Sequence, residues 1–177
     1  MSELNDLTLL QVQKRLKPKI EDVIPLILDG DSKKNAFNFV EWLRENKMSP
    51  GWGGIHNSWY ANCKGKSICR IGLRNDGSWG FMLYLGNIKK YEQSILEEGL
   101  QSVVWQMLIR CRGGCEAKCP PGSDLTIFGK EFKNLCNDKY VTLSRFWISI
   151  SNPDKVAVLK IKRLLELEQK ARKGEII

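Results

Sequence analysis

The chain has a single histidine, His56, among its 177 residues, so no site that needs two histidines can be built from it. No run approaches the roughly 18 consecutive apolar residues of a membrane span. The longest compact stretch, Phe81-Met82-Leu83-Tyr84-Leu85, has the length of a strand. The segment Met1 to Asp6 is acidic and lacks the basic and then apolar regions of a secretory signal. A cytoplasmic location is therefore expected, where thiols stay reduced. No G-x-S-x-G, no pair of catalytic carboxylates and no G-x-G-x-x-G fingerprint occurs. Gly65-Lys66-Ser67 looks like the end of a phosphate-binding loop, but the first glycine of that loop would fall on Tyr60, and a strand pattern follows where a helix is required.

What is present is an ordinary soluble composition, 42% hydrophobic and 27% charged, consistent with one domain. Lysine and arginine number 28 against 20 acids, a net charge of +8 that weakly favours anionic partners. The basic residues are dispersed along helices, and Glu166 and Glu168 interleave in the last one, so that helix reads as a solvated face. Six cysteines and six tryptophans are both high for this length.

Apolar spacing predicts a short amphipathic helix over 4–16, on Leu9, Leu10, Val12 and Leu16, ended by Lys17-Pro18. A second helical segment over 20–28 carries Pro25, which should kink or interrupt it, and Gly30 is expected as its C-terminal cap. A third helix, capped by Asp31 or Ser32, should bury Ala36, Phe39, Val40 and Leu43. The period then changes to two. Ile55, Asn57, Trp59, Ala61 and Cys63 share one strand face; Cys69, Ile71 and Leu73 share the next; Trp79, Phe81, Leu83 and Leu85 form a third. Asn75-Asp76-Gly77 predicts a hairpin turn in which Asp-Gly supplies positive φ angles. Helical composition returns over 88–110, divided by Gly99, and 142–150 alternates as a fourth strand. In Asn152-Pro153-Asp154, Asn can cap the final helix, Pro fits its first position and Asp suits its positive end. The expected class is α+β: an antiparallel sheet, a three-strand meander plus one further strand, packed with helices and carrying a Cys-rich loop. Residues 1–177 read as a single domain, with the helices of 1–48 at most a semi-independent arm.

Two candidate sites follow. Cys111, Cys115, Cys119 and Cys136 have the spacing C-x3-C-x3-C-x16-C in a Gly-rich loop. Four thiolates make a closed structural zinc site, and Gly113 and Gly114 permit the tight turns it needs. Reduced buried thiols, or a disulfide or redox pair, are the competing readings. Cys63 and Cys69 cannot pair: across a two-residue turn at Lys64-Gly65 they stand roughly 10 Å apart, beyond the ~7 Å a disulfide spans. The second site is an aromatic-lined pocket over the meander, with Trp52, His56, Trp59, Arg70, Trp79, Phe81 and Tyr84 as ligand-binding candidates and Asn57 beside them. It would take a small molecule without catalysis. Two alternatives stand beside it: a nucleic-acid-binding protein using the basic helices, and an enzyme using a Cys thiolate or a bound metal.

The elements Arg112-Gly113-Gly114-Cys115, Cys119-Pro120-Pro121-Gly122, Thr126 to Phe132, Cys136 and Asn152-Pro153-Asp154 resemble the C-terminal signature of an uncharacterised bacterial family of small cytosolic proteins. The meander resembles, more loosely, small α/β proteins of the YdhG-like type. The first resemblance implies an α+β fold with a linked Cys cluster and brings no catalytic residues with it.

Overall fold

A computed structural model describes residues 8–106, 108, 123–135 and 146–176 of the chain. The class is α+β. Among the described residues an antiparallel sheet takes the order β1-β2-β3-β4-β7, and a separate two-stranded sheet pairs β5 with β6. The four cysteines Cys111, Cys115, Cys119 and Cys136 lie outside the described residues. The chain forms two compact units: one from the residues up to Phe81 together with Ser151–Lys155, the other from Met82–Ile150 and the residues from Val156 onward.

In the first unit, α1 (Leu9–Leu16), α2 (Ile20–Ile27) and α3 (Gly30–Glu45) precede β1 (Pro50–Trp52), β2 (Ser58–Cys63) and β3 (Lys66–Leu73), and β4 (Trp79–Leu85) begins here. α1 starts at a capping box: Gln11 N–H donates to the Thr8 hydroxyl, and Thr8 N–H donates to Gln11 Oε1. Only part of its expected apolar stripe turns inward, with Leu10 and Val12 half-buried. Leu9 is 54% and Leu16 70% exposed, and the buried residue is Gln13. α2 runs through Pro25 unbroken, and Leu28 rather than Gly30 is its cap. Gly30 instead opens α3 at a φ of 54°. α3 buries Ala36, Phe39, Val40 and Leu43 as expected. It ends in a Schellman turn, with Met48 N–H donating to the Leu43 carbonyl and Lys47 N–H to that of Arg44. Lys47 holds the left-handed position at φ 60°, and the following Met48 is fully buried, the apolar contact typical of this motif.

Pro50-Gly51, a pair whose composition would suit the end of a helix, belongs to β1, which pairs Trp52 with Trp59. The strand expected from Ile55 begins only at Ser58, because Asn57 is a turn residue at φ 49° and Ile55 is exposed. The β2–β3 turn sets Cys63 opposite Lys66, and a bulge after Ala61 sets Cys69 opposite Ala61. Both thiols are free and buried, in keeping with the geometric exclusion of a disulfide. In the next turn only Gly77 has a positive φ, 78°. Gly77 N–H donates to the Arg74 carbonyl and Arg74 N–H to that of Ser78, so the chain turns over Asn75-Asp76 and Gly77 takes the bulge. The core is aromatic. Phe39 stacks on Phe81 at 4.9 Å, and Trp79 meets Phe81 edge-on at 5.7 Å.

In the second unit a 3₁₀ turn (Ile88–Tyr91) leads into α4 (Glu92–Glu97) and α5 (Gln101–Gln106). Gly99 divides them as expected, at φ 65°, within a second Schellman turn whose bonds run from Leu100 N–H to the Ile95 carbonyl and from Gly99 N–H to that of Leu96. β5 (Ser123–Ile127) and β6 (Lys130–Leu135) form a tight hairpin over Phe128-Gly129, both at positive φ (49° and 75°). β7 (Phe146–Ser151) bears out part of the fourth predicted strand. α6 (Lys155–Lys173) buries Val158, Ile161, Leu164 and Leu165. Its start is not capped by the Asn152 side chain. Asn152 Oδ1 accepts from Trp79 N–H at 2.9 Å, and Asn152 N–H donates to the Trp79 carbonyl at 2.7 Å.

Candidate functional site

Antiparallel register assigns faces, because residues directly opposite one another project to the same side. Trp52, Trp59 and Ile71 share one side of β1–β2–β3; Gly51, Tyr60 and Arg70 share the other. The predicted pocket residues are thus divided. Trp59 and Trp79 are 0% exposed and Phe81 is 3% exposed, and the contacts of Trp79 and Phe81 with Phe39 place them within the core. Trp59 Nε1 donates to the Pro18 carbonyl at 2.8 Å. Arg70 stands on the opposite side. Its Nε donates to Ser58 Oγ at 2.7 Å, and its guanidinium lies 5.8 Å above the Tyr60 ring. In the second unit Tyr84 is half-buried, and its carbonyl accepts from Arg172 at 2.7 Å.

Trp52, the last residue of β1, and His56 flank the same β1–β2 turn. The backbone there is fixed at several points. Gly53 N–H donates to the Ser58 carbonyl at 2.8 Å, and a Cβ on Gly53 would lie 2.3 Å from the Tyr60 ring, so only glycine fits. Gly54 (φ 76°) lies against the ring of Trp52. Asn57 locks the far side. Its N–H donates to Gln13 Oε1 at 2.9 Å, Gln13 Nε2 donates to Asn57 Oδ1 at 2.6 Å, and Asn57 Nδ2 donates to Asn75 Oδ1 at 3.3 Å. The buried Gln13 thus ties α1 to this turn through both ends of its amide. Sequence periodicity misses the contact, because Gln13 sits in the middle of an apolar helical stripe.

Within this fixed turn Trp52 Nε1 and His56 Nε2 are both buried and carry no hydrogen bond. Buried side-chain polar atoms are normally paired. An indole N–H can only donate, whereas an imidazole nitrogen donates or accepts according to its tautomer. Together they can hold a small polar group. Trp79 Nε1 is also unpartnered, but its residue is wholly enclosed.

A second polar centre went unread in the sequence. Glu168, expected on a solvated face of the last helix, is 0% exposed. Its carboxylate accepts from Tyr91 OH at 2.7 Å, Arg172 Nε at 2.8 Å, and Asn87 N–H and Nδ2 at 3.1 Å each. Burial, the adjacent carboxylate and the bond to it hold the Tyr91 hydroxyl well above the ordinary tyrosine range. The Arg172–Glu168 spacing of four residues could have suggested an ion pair, but not its burial. Other bases are paired as well: Arg44 with Glu21, Arg163 with Glu98 and Glu166, and Lys133 with Asp124 and Glu131.

No group of three or more His, Cys, Asp or Glu side chains that could hold a metal occurs among the described residues, and no described helix is long and apolar enough to cross a membrane. Comparison with protein-family profiles, curated proteins and solved structures finds no match for the chain.

Proposed function

We propose that this chain is a non-enzymatic binding protein that takes a small polar molecule at the β1–β2 turn. One observation carries the reading: two buried polar atoms, Trp52 Nε1 and His56 Nε2, stand four residues apart in a rigid turn without partners. Each such atom costs about 1–3 kcal/mol when left unpaired, and a ligand bonding both offsets that cost. Zinc on Cys111, Cys115, Cys119 and Cys136, in a structural role, belongs to the same proposal, as does a cytoplasmic location. Stoichiometric zinc in protein purified without chelator supports the metal assignment, and its absence overturns that part alone.

The binding reading is tested by screening polar fragments against 15N-labelled protein and following the indole N–H resonances. A saturable shift of the Trp52 resonance in the wild type, lost in His56→Phe, is the expected result. Fragments that shift other indoles while leaving Trp52 unmoved would overturn it. So would salt-dependent retention of nucleic acid that Trp52→Phe leaves unchanged, occurring without any fragment response, which would instead favour the nucleic-acid alternative.

A further inference from the structure

On the side of the first unit's strands opposite Trp52, we infer a separate oxyanion site built on Arg70. Three observations converge on it. The guanidinium is held at two points, by the bond from Nε to Ser58 Oγ at 2.7 Å and by its seat 5.8 Å above the Tyr60 ring. Among the described residues these are its only polar or ring contacts, so there the Nη1–Nη2 edge of the fork carries no hydrogen bond. That edge has the spacing that meets two oxygens of a carboxylate or phosphate side by side.

The strand surface beside it is open. Gly72 lies two residues along β3 from Arg70, opposite Ser58, and Gly51 lies opposite Tyr60. A Cβ on either glycine would have no atom within 4 Å, and neither glycine has a positive φ that would itself demand glycine. The missing side chains therefore leave room above the strands rather than relieve backbone strain.

The local charge has one sign. Between Glu45 and Asp76 the chain carries Lys47, Lys64, Lys66, Arg70 and Arg74 and not one acid. Elsewhere among the described residues Lys34, Arg44, Lys133, Arg163 and Arg172 pair with carboxylates, whereas this segment adds five bases and no acid to the +8 net charge. A fixed, half-buried guanidinium in a stretch of chain that carries five bases and no acid suits an anion better than a neutral ligand. The ligand class is a small molecule bearing a carboxylate or phosphate, bound end-on by the two Nη groups.

The test titrates 15N-labelled protein with inorganic phosphate and, separately, with acetate at constant ionic strength, with chloride as the reference salt. The readouts are the Arg70 Nε–H resonance and, for comparison across variants, the Tyr60 and Ile71 backbone amides. A saturable shift with phosphate alone assigns a phosphate-bearing ligand, with acetate alone a carboxylate, and with both an oxyanion in general. Arg70→Lys, which keeps the charge and loses the fork, should weaken binding at least tenfold. Gly72→Val fills the open space with a strand-favouring side chain; it should keep the folded spectrum and abolish saturation even if Arg70→Lys does not fold. A response that never saturates, or that matches chloride, overturns the site, as does wild-type binding by Gly72→Val. Because Arg70 and Trp52 lie on opposite sides of the strands, none of these outcomes alters the reading of the β1–β2 turn.

Discussion

Glu168 and the Trp52–His56 turn are both buried polar clusters, and they differ in one respect. Glu168 accepts four hydrogen bonds from three residues, leaving its carboxylate fully engaged. Trp52 Nε1 and His56 Nε2 make none, although the surrounding backbone is pinned by Gln13, Asn57 and Asn75. Buried polarity therefore serves two ends in one chain. Where every group is paired, it fixes α6 to the segment around Asn87 and Tyr91. Where groups are left unpaired on a rigid frame, it provides capacity for something else to bind. Saturation, rather than burial or charge, separates the two.

That contrast can be broken by substitution. Glu168→Ala should have the largest effect, about 3–5 kcal/mol, because it strands the Arg172 charge, the Tyr91 hydroxyl and the Asn87 donors. Urea denaturation followed by circular dichroism measures it, and a loss below about 1 kcal/mol would mean that the network is not structural. Tyr91→Phe removes one donor to a charged acceptor and should cost roughly 1.5–3 kcal/mol at neutral pH. Its folded-state pKa is raised, so the stabilisation is complete below the ordinary tyrosine value of 10.0 and falls as the pH climbs above it. Tyr91→Phe should lack that alkaline decline, and stability profiles between pH 7 and about 11 compare the two proteins directly.

Smaller effects belong to the other cluster. Gln13→Ala leaves Asn57 unpaired and should cost about 1–3 kcal/mol, while Leu16→Ala on the same helix, at an exposed position, should stay within about 0.5 kcal/mol. That pair reverses the ranking hydrophobicity alone would give, and thermal unfolding of both variants decides it. Trp52→Phe, which deletes an unpartnered N–H but also loses indole packing, should change stability by under about 1 kcal/mol, yet remove fragment binding. The buried Cys69 thiol, its ionisation pushed far up by burial, should resist iodoacetamide in the folded protein and react once it unfolds, as read by mass spectrometry.

Much of the frame was legible in the sequence. The stripe of α3, the division at Gly99 and the separation of Cys63 from Cys69 follow from apolar period, glycine and turn length. What stayed hidden has physical causes. Gln13 and Glu168 are polar residues whose burial depends on distant partners, Asn57 and Asn87, that local spacing cannot show. Pro50-Gly51 has the composition of a helix stop but lies on a sheet edge, where Pro is tolerated. The hairpin of β5 and β6 has too many charges, Asp124, Lys130, Glu131 and Lys133, to alternate clearly. Of the candidate pocket, the sequence supplied the residues but not their faces. Those depend on register, which places Arg70 opposite Tyr60 and Trp52 opposite Trp59.

The most direct test follows the Trp52 indole N–H in two-dimensional NMR during titration with polar fragments, in wild type and His56→Phe. The account predicts a saturable Trp52 shift in wild type that disappears when His56 is replaced. A Trp52 resonance unmoved by every fragment, or one that shifts equally in both proteins, would contradict the claim that these two unpaired atoms form one binding site.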